Sequence, residues 1–371
     1  MSNLDWFKYT IMHKNKKVAC IQKNGKCVIY NKRFMPYNLY FEDAGDRDID
    51  ERINNLENFY YWCSSRMLTL DRKYAKEILN TLGKKQAVTD RDRAAIAISY
   101  HCLSLTDVYW VKGFRENVSY EDINLYTHSL SDAFVDVCLQ GMEMTLQNAK
   151  LLKQADVAGD IATAGVAPKA WIRRNDTFFL LKDGDERDVD SELLASRIMD
   201  CFDVEHVRYN EEYYDGRRVS ISEIISSEER SLVTAEYVEI YAVNHDTELL
   251  NIVYEKSWRA YHMMNIMDYL TGNSDRHWAN WGFFVDNATN KLMGLYPLMD
   301  FNKAFTSYSG MSGGISQTVP GKTQQDAAAD AVKTVGLNQT GKVKREWFKD
   351  EIQWEMFCER LEFLKIFDRE R

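Results

Sequence analysis

Proline is scarce, with four in 371 residues, and no Gly/Ser-rich stretch divides the chain, so nothing marks it as domains strung on a flexible linker. No internal repeat is visible, which sets aside solenoids and propellers. The seven cysteines (20, 27, 63, 102, 138, 201 and 358) lie far apart and form no C-x-x-C pair. That spacing argues against a zinc ribbon or a disulfide framework and suits a reducing cytosol. The start, MSNLDWFKYTIMHKNKK, lacks an apolar signal-like core, and no apolar run reaches the roughly 18 residues of a spanning helix. A soluble, cytoplasmic protein without membrane attachment is expected. Positive charge is in deficit, with a net charge of −9, so direct nucleic-acid binding is not expected. What is plentiful is ordinary core material: 45% hydrophobic residues, 13% aromatic and 28% charged, enough for two or three globular domains.

The chemistry-bearing residues concentrate in 270–304, LTGNSDRHWANWGFFVDNATNKLMGLYPLMDFNKA. Asp275 is followed five residues later by Asn280. The apolar runs Trp281–Val285 and Leu292–Leu298 flank a turn-rich stretch at 286–290, the pattern of a β-hairpin. A second acid, Asp300, comes next in an Asp-Phe-Asn triplet. Each piece alone fits a turn or a cap. Together they supply an acid to orient an attacking hydroxyl, plus an amide and another acid to hold magnesium on nucleotide phosphates. Phosphoryl transfer requires that set.

Asp275-Arg276-His277-Trp278-Ala279-Asn280, the hairpin and Asp300-Phe301-Asn302 resemble the catalytic and metal-binding loops of HipA-like kinases. The first of these is also similar to the Asp-Arg-His-x-x-Asn loop of phosphatidylinositol kinases. The resemblance implies an α+β, two-lobed protein-kinase-like fold with ATP and Mg²⁺ as cofactors. It implies that Asp275 orients or deprotonates the substrate hydroxyl, and that Asn280 and Asp300 bind Mg²⁺. His277 would either steady the loop or, in the lipid-kinase manner, act near the transferred phosphate. Arg276 departs from the glycine at that place in HipA, and Asn302 departs from the glycine of Asp-Phe-Gly.

Further resemblances lie upstream. The small-residue stretch 160–171 places Gly165 four residues before Lys169, like the phosphate-covering loop of HipA-like kinases. Small side chains let backbone N–H groups approach phosphates, and Lys169 adds a charge. Ala162 stands where HipA carries a phosphorylatable serine, so self-inactivation there is not implied. Ala170–Arg174 and Thr177–Lys182 read as paired strands. Lys182 ends an apolar run and needs a negative partner, which nucleotide phosphates would supply. Ser191-Glu192 reads as a helix start, with Glu192 the carboxylate that holds Lys182. A β-rich passage, Val204–Tyr209 and Val219–Ile225, leads to an adenine-binding hinge at Ser222, Glu223, Ile224 and Ile225. Glu236-Tyr237-Val238 is an alternative hinge. Glu248–Tyr269 reads as a long amphipathic helix and Lys344–Phe367 as one or two more. Thr306–Pro320, rich in Ser, Thr and Gly, is expected to be a mobile gate at the activation-segment position.

Before residue 157 the chain reads as short strands (Phe7–Met12, Val18–Gln22, Cys27–Asn31). Helices follow around Ile53–Met67 and Lys73–Leu82 and after a capping Thr89, and another is expected in the second half of Tyr120–Gln147. The stretch 104–110, Ser-Leu-Thr-Asp-Val-Tyr-Trp, is similar to one in larger HipA-like proteins and reads as a capped turn with two core aromatics. The expected layout is an N-terminal α+β module (1–150), an N-lobe-like region (151–243) and a mostly helical C-lobe (244–371). The implied function is transfer of the γ-phosphate to a Ser/Thr hydroxyl of a protein substrate. A toxin or regulatory kinase of a bacterial module, with a separate antitoxin-like partner, would fit. A lipid or small-molecule kinase and a nucleotide-binding pseudokinase are the alternatives.

Overall fold

In a computed structural model of the chain, the described residues are 8–42, 48–67, 89–127, 168–183, 185–306 and 310–369. The chain divides into two compact units. The first is Met1–Lys182 with Ser226–Leu232 and Val285–Lys291; the second is Asp183–Ile225, Val233–Phe284 and Leu292–Arg371. This division does not fall at the expected boundaries near residues 150 and 243.

In the first unit, short apolar runs form β1 (Lys8–His13), β2 (Lys16–Gln22) and β3 (Cys27–Ile29). With β4 (Tyr109–Gly113) they make a sheet of order β3-β2-β1-β4. Helix α1 (Ile49–Ser65) packs on α2 (Asp90–Ser99). Thr89 caps α2 in a reciprocal box with Asp92, as its sequence position predicts. Phe59, Trp62 and Trp110 are buried, and Trp62 meets Tyr109 edge-on at 6.5 Å. The Ser-Leu-Thr-Asp turn is structural: both Asp107 oxygens receive Arg66 at 2.7 Å, and Oδ1 also takes the Tyr109 N–H. Strands β5 (Lys169–Arg174) and β6 (Thr177–Lys182) pair antiparallel, as read from the sequence.

The second unit begins with α3 (Glu186–Met199), capped by Asp185. Strands β7 (Asn210–Tyr214) and β8 (Arg217–Glu223) then form a hairpin. Strand β9 (Arg230–Thr234) runs into α4 (Ala235–Val243), and α5 (Leu249–Thr271) follows with a break at Ser257. Strands β10 (Gly282–Asp286) and β11 (Lys291–Leu295) join β9 in the order β11-β10-β9; the hairpin tip Val285–Lys291 and the start of β9, up to Leu232, count with the first unit. The approach is close: a Cβ on Gly282 would lie 2.1 Å from the Val233 carbonyl. Helix α6 (Gln324–Val335), not anticipated from the sequence, lays Ala328 and Ala331 against α5; their small side chains let the two backbones draw near. Helix α7 (Glu351–Arg369) packs on both.

Several readings need correction. Val204–Tyr209 is not a strand: it makes one isolated bridge, His206 to Leu298, while the ladder partner of β8 is the polar Asn210–Tyr214. The hinge alternative Glu236-Tyr237-Val238 is the first turn of α4, capped by Thr234, so the Tyr237 amide goes to that cap rather than to a ligand. The α3 helix starts five residues before Ser191, at Glu186, because Asp185 is the cap. The expected helices at Lys73–Leu82 and in the second half of Tyr120–Gln147 lie outside the described residues.

One buried group makes the fold pH-sensitive. His13, 3% exposed, is wedged between the Phe34 and Tyr109 rings, each 5.0 Å away, and its Nε2 has no partner. Burial pushes its pKa down to about 4, with Lys16 and Lys14 adding and Asp107 opposing. An unfolded histidine binds its proton below about pH 6.5, while the folded one stays neutral until about pH 4. Stability is therefore full above the unfolded pKa and falls as pH drops, by about 2 kcal/mol at pH 5. Urea unfolding at pH 7 and pH 5 should show wild type losing more on acidification than His13→Leu. Equal losses would mean that His13 titrates freely.

Candidate active site

The site is built from the carboxy-terminal end of α5. The run Met263–Thr271 is apolar except for Asn265, Asp268 and Thr271, all buried. Gly272 ends the helix in the left-handed region (φ 62°), and a Cβ there would come within 3.2 Å of Arg360 Nη1. Loop 273–281 then folds back on the buried Asp268. Asn273 Nδ2 donates to Asp268 Oδ1 at 2.9 Å, and Arg276 Nε and Nη2 donate to the same carboxylate at 3.0–3.2 Å. Arg276 is 2% exposed. Burial alone would lower its pKa, but Asp268 outweighs that and raises it, so the guanidinium stays charged.

The remaining Arg276 nitrogen assembles the chemistry. Nη1 donates to the Asn280 carbonyl at 2.8 Å and to the Met299 carbonyl at 2.7 Å. A single nitrogen thus joins the Asp275–Asn280 loop to the residue before Asp300. The guanidinium also stacks over the Phe301 ring, 4.6 Å from its centroid. Asn280 Nδ2 donates to the Asp275 carbonyl at 2.7 Å, a bond that does not use its amide oxygen. Asp300 sits at φ 61°, and its N–H donates to the buried Tyr209 hydroxyl at 3.2 Å. The first amides of α4 serve the same loop: Ala235 and Glu236 N–H donate to the Trp281 and Trp278 carbonyls.

Asp275, His277, Asn280 and Asp300 thus all belong to one arrangement within the second unit. His277 Nδ1 accepts from the Ala279 N–H at 3.2 Å, and Nε2 lies 4.0 Å from Asp275 Oδ1, beyond hydrogen-bond reach. Glu192, also in this unit, is 1% exposed on α3 and accepts from Ser220 Oγ at 2.5 Å. It lies mid-helix rather than at the helix start. Ser222 is buried and Glu223 exposed where β8 ends, and the half-buried Ile224 and Ile225 continue beyond the strand; Ile225 packs on Val189, Leu193, Val207 and Tyr209. Lys169 and Lys182 belong to the first unit and are direct cross-strand partners in the β5–β6 hairpin. Opposed residues in such a pair share one sheet face, so both cations stand side by side, Lys182 being 9% exposed. Gly165 lies outside the described residues.

The stretch expected to be a mobile gate is built in at 310–320, while 307–309 lie outside the described residues. Ser316 and Thr318 are buried. Thr318 bonds Asn265 and accepts from the Tyr261 hydroxyl, Tyr269 Oη reaches the Met311 carbonyl, and Gln317 Nε2 reaches the Ser274 carbonyl at 3.0 Å. Gln324 Nε2 adds a bond to the Asn273 carbonyl at 2.6 Å. Hydroxyl and amide side chains that read as loop composition are here consumed by the loop's own hydrogen bonds. Asp268, Asn273, Tyr209, Ser220 and Gln324 were not singled out in the sequence. The one available signal was Asn265 and Asp268 standing inside an otherwise apolar helix run.

No His/Cys/Asp/Glu group of three or more able to hold a metal occurs among the described residues. Asn280 and Asp300 offer one amide oxygen and one carboxylate. That donor set suits Mg²⁺, which keeps waters and substrate phosphates as its other ligands.

Removing one partner of the Arg276–Asp268 pair leaves a buried charge unanswered, a loss of about 3–5 kcal/mol. Denaturant unfolding should show that drop for Arg276→Met and for Asp268→Leu, and a smaller drop for the double variant than for the two combined. Strict additivity would mean that the pair is not coupled.

A scan against protein-family models and a search of curated proteins each returned no match. Solved structures do match. The proinflammatory kinase CtkA of Helicobacter pylori aligns over 54% of this chain and 93% of its own, at 13% identity and TM-score 0.42. The HipA chain from the Shewanella oneidensis toxin–antitoxin complex of HipA, HipB and operator DNA aligns over 98% of this chain and 97% of its own, at 11% identity and TM-score 0.54. The full-length likeness is the second, and by it the chain has the α+β fold of the HipA-like kinases.

Proposed function

We propose that this protein is an ATP- and Mg²⁺-dependent phosphotransferase that acts on a Ser/Thr hydroxyl of a protein. The observation that carries this reading is the buried Arg276, whose Nη1 holds both the Asn280 and the Met299 carbonyls. The two loops, separated by the β10–β11 hairpin, thereby present an acid (Asp275), an amide (Asn280) and a second acid (Asp300) in one fixed arrangement. Asp275 accepts the hydroxyl proton and orients the attacking oxygen. Asn280 and Asp300 hold Mg²⁺, which neutralises charge on the nucleotide phosphates when bound. Lys169 and Lys182, cross-strand neighbours in the first unit, offer phosphates two positive charges. The backbone at Ser222–Ile225, where β8 ends, meets adenine. His277, held through Nδ1 by its own loop, steadies the catalytic turn.

A toxin or regulatory role with a separate antitoxin-like partner fits the fold, since the Shewanella HipA is seen with HipB. Direct nucleic-acid contact is not part of this proposal. No helix among the described residues is long and apolar enough to cross a membrane. A second reading, transfer to a lipid or small-molecule hydroxyl, draws on Arg276-His277 and on the half-exposed His277 ring within 4.0 Å of Asp275.

Label transfer from radiolabelled ATP, with protein and phosphoinositide acceptors side by side, tests the proposal. Asp275→Asn should lower turnover about 10²–10⁴-fold while nucleotide affinity changes little. Label in the protein acceptor is the expected outcome, and label in the lipid would favour the second reading. Nucleotide binding without transfer by wild type would reduce the protein to a pseudokinase. In parallel, Asp300→Ala should stay folded yet lose Mg²⁺-dependent ATP affinity by calorimetry; unchanged affinity would overturn the metal assignment.

A further inference from the structure

We infer that the ion pair between Lys303 and Asp188 is a positioning contact that couples the loop carrying Asp300 to the helix carrying Glu192. The inference rests on the phosphotransferase reading for its consequence, though its geometry does not depend on that reading. Lys303 lies three residues beyond Asp300, and its Nζ stands 2.8 and 2.9 Å from the two Asp188 oxygens. Asp188 lies one turn before Glu192 on α3, and residues four apart on a helix share a face. The Glu192 side chain is thus carried by the turn that Lys303 grips.

Two other contacts join the same elements. Met299, beside Asp300, packs on Val189, Leu193 and Tyr209, and the Tyr209 hydroxyl accepts the Asp300 N–H. Those contacts are buried, whereas Lys303 is 44% exposed and Asp188 15%. The ion pair is therefore the part of the link that solvent and salt can loosen. Elsewhere on α3, Asp190 binds Lys349 and Arg218, which tie the helix to the segment before α7 and to β8 but not to the metal loop. Lys303 is the cation that ties α3 to the loop carrying Asp300. Neither member of the pair touches reacting atoms; both act through the residues they place.

The test uses the full-length protein with Lys303→Met, Asp188→Asn and the charge swap Asp188→Lys with Lys303→Asp. Hydrogen exchange should rise about three- to fivefold in each single variant, the range of a half-exposed pair. It should rise both in residues 186–199 and in 298–304, because each element holds the other. KM for Mg·ATP should rise by a similar factor with kcat less affected. The charge swap should restore both readouts to within about twofold of wild type, and high salt should erase the difference between wild type and the single variants. Exchange in 298–304 unmoved by Asp188→Asn, or a charge swap no better than its single components, would overturn the coupling. If wild type binds no nucleotide, the phosphotransferase reading falls, while hydrogen exchange still decides whether the coupling exists.

Discussion

A guanidinium at 2% exposure has to be satisfied at every nitrogen, and the way Arg276 is satisfied shapes the whole site. Asp268 answers its charge, and two backbone carbonyls from separate loops complete its donors. Burying such a pair is not by itself stabilising, since desolvation offsets most of the attraction. Its value is geometric. Arg276 reaches its partners only if α5, the catalytic loop and the residue before Asp300 all sit in one register. A single side chain therefore ties the end of α5, the loop after it and the residue before Asp300 into one constellation, with Phe301 stacked beneath it.

Around that pair the polar groups form a connected set. Asn273 shares the Asp268 carboxylate and accepts the Asp275 N–H; Gln324 holds the Asn273 carbonyl and accepts the Gly314 N–H. Catalysis by positioned groups depends on side chains fixed before substrate arrives. Here the fixing extends past Asp275 and Asn280 into the segment that follows Asp300. The stretch 310–320 thereby lies against loop 273–281, and the Asp300 loop is braced in turn by Tyr209.

Much of this was legible in the sequence because it rests on local rules. The hairpin around 286–290 and the Thr89 cap are short-range patterns that the structure reproduces. Helix α6 escaped notice because its inward face is made of alanines, which carry little hydrophobic signal. The inward bonds of Ser316 and Thr318 were not legible because a hydroxyl residue looks the same in sequence whether it faces water or Asn265. Asp268 was invisible as a partner of Arg276 because nothing in a sequence says which buried acid answers which buried cation. Only the fold brings the end of α5 back onto the loop it emits.

The proposed chemistry depends on Asn280 and Asp300 jointly holding a divalent cation on a nucleotide. The most direct measurement is a crystal structure with a non-hydrolysable ATP analogue and Mn²⁺, locating the metal by its anomalous signal. The expected peak lies within about 2.0–2.3 Å of the Asn280 amide oxygen and an Asp300 carboxylate oxygen. A bound nucleotide whose metal sits away from both residues would contradict it.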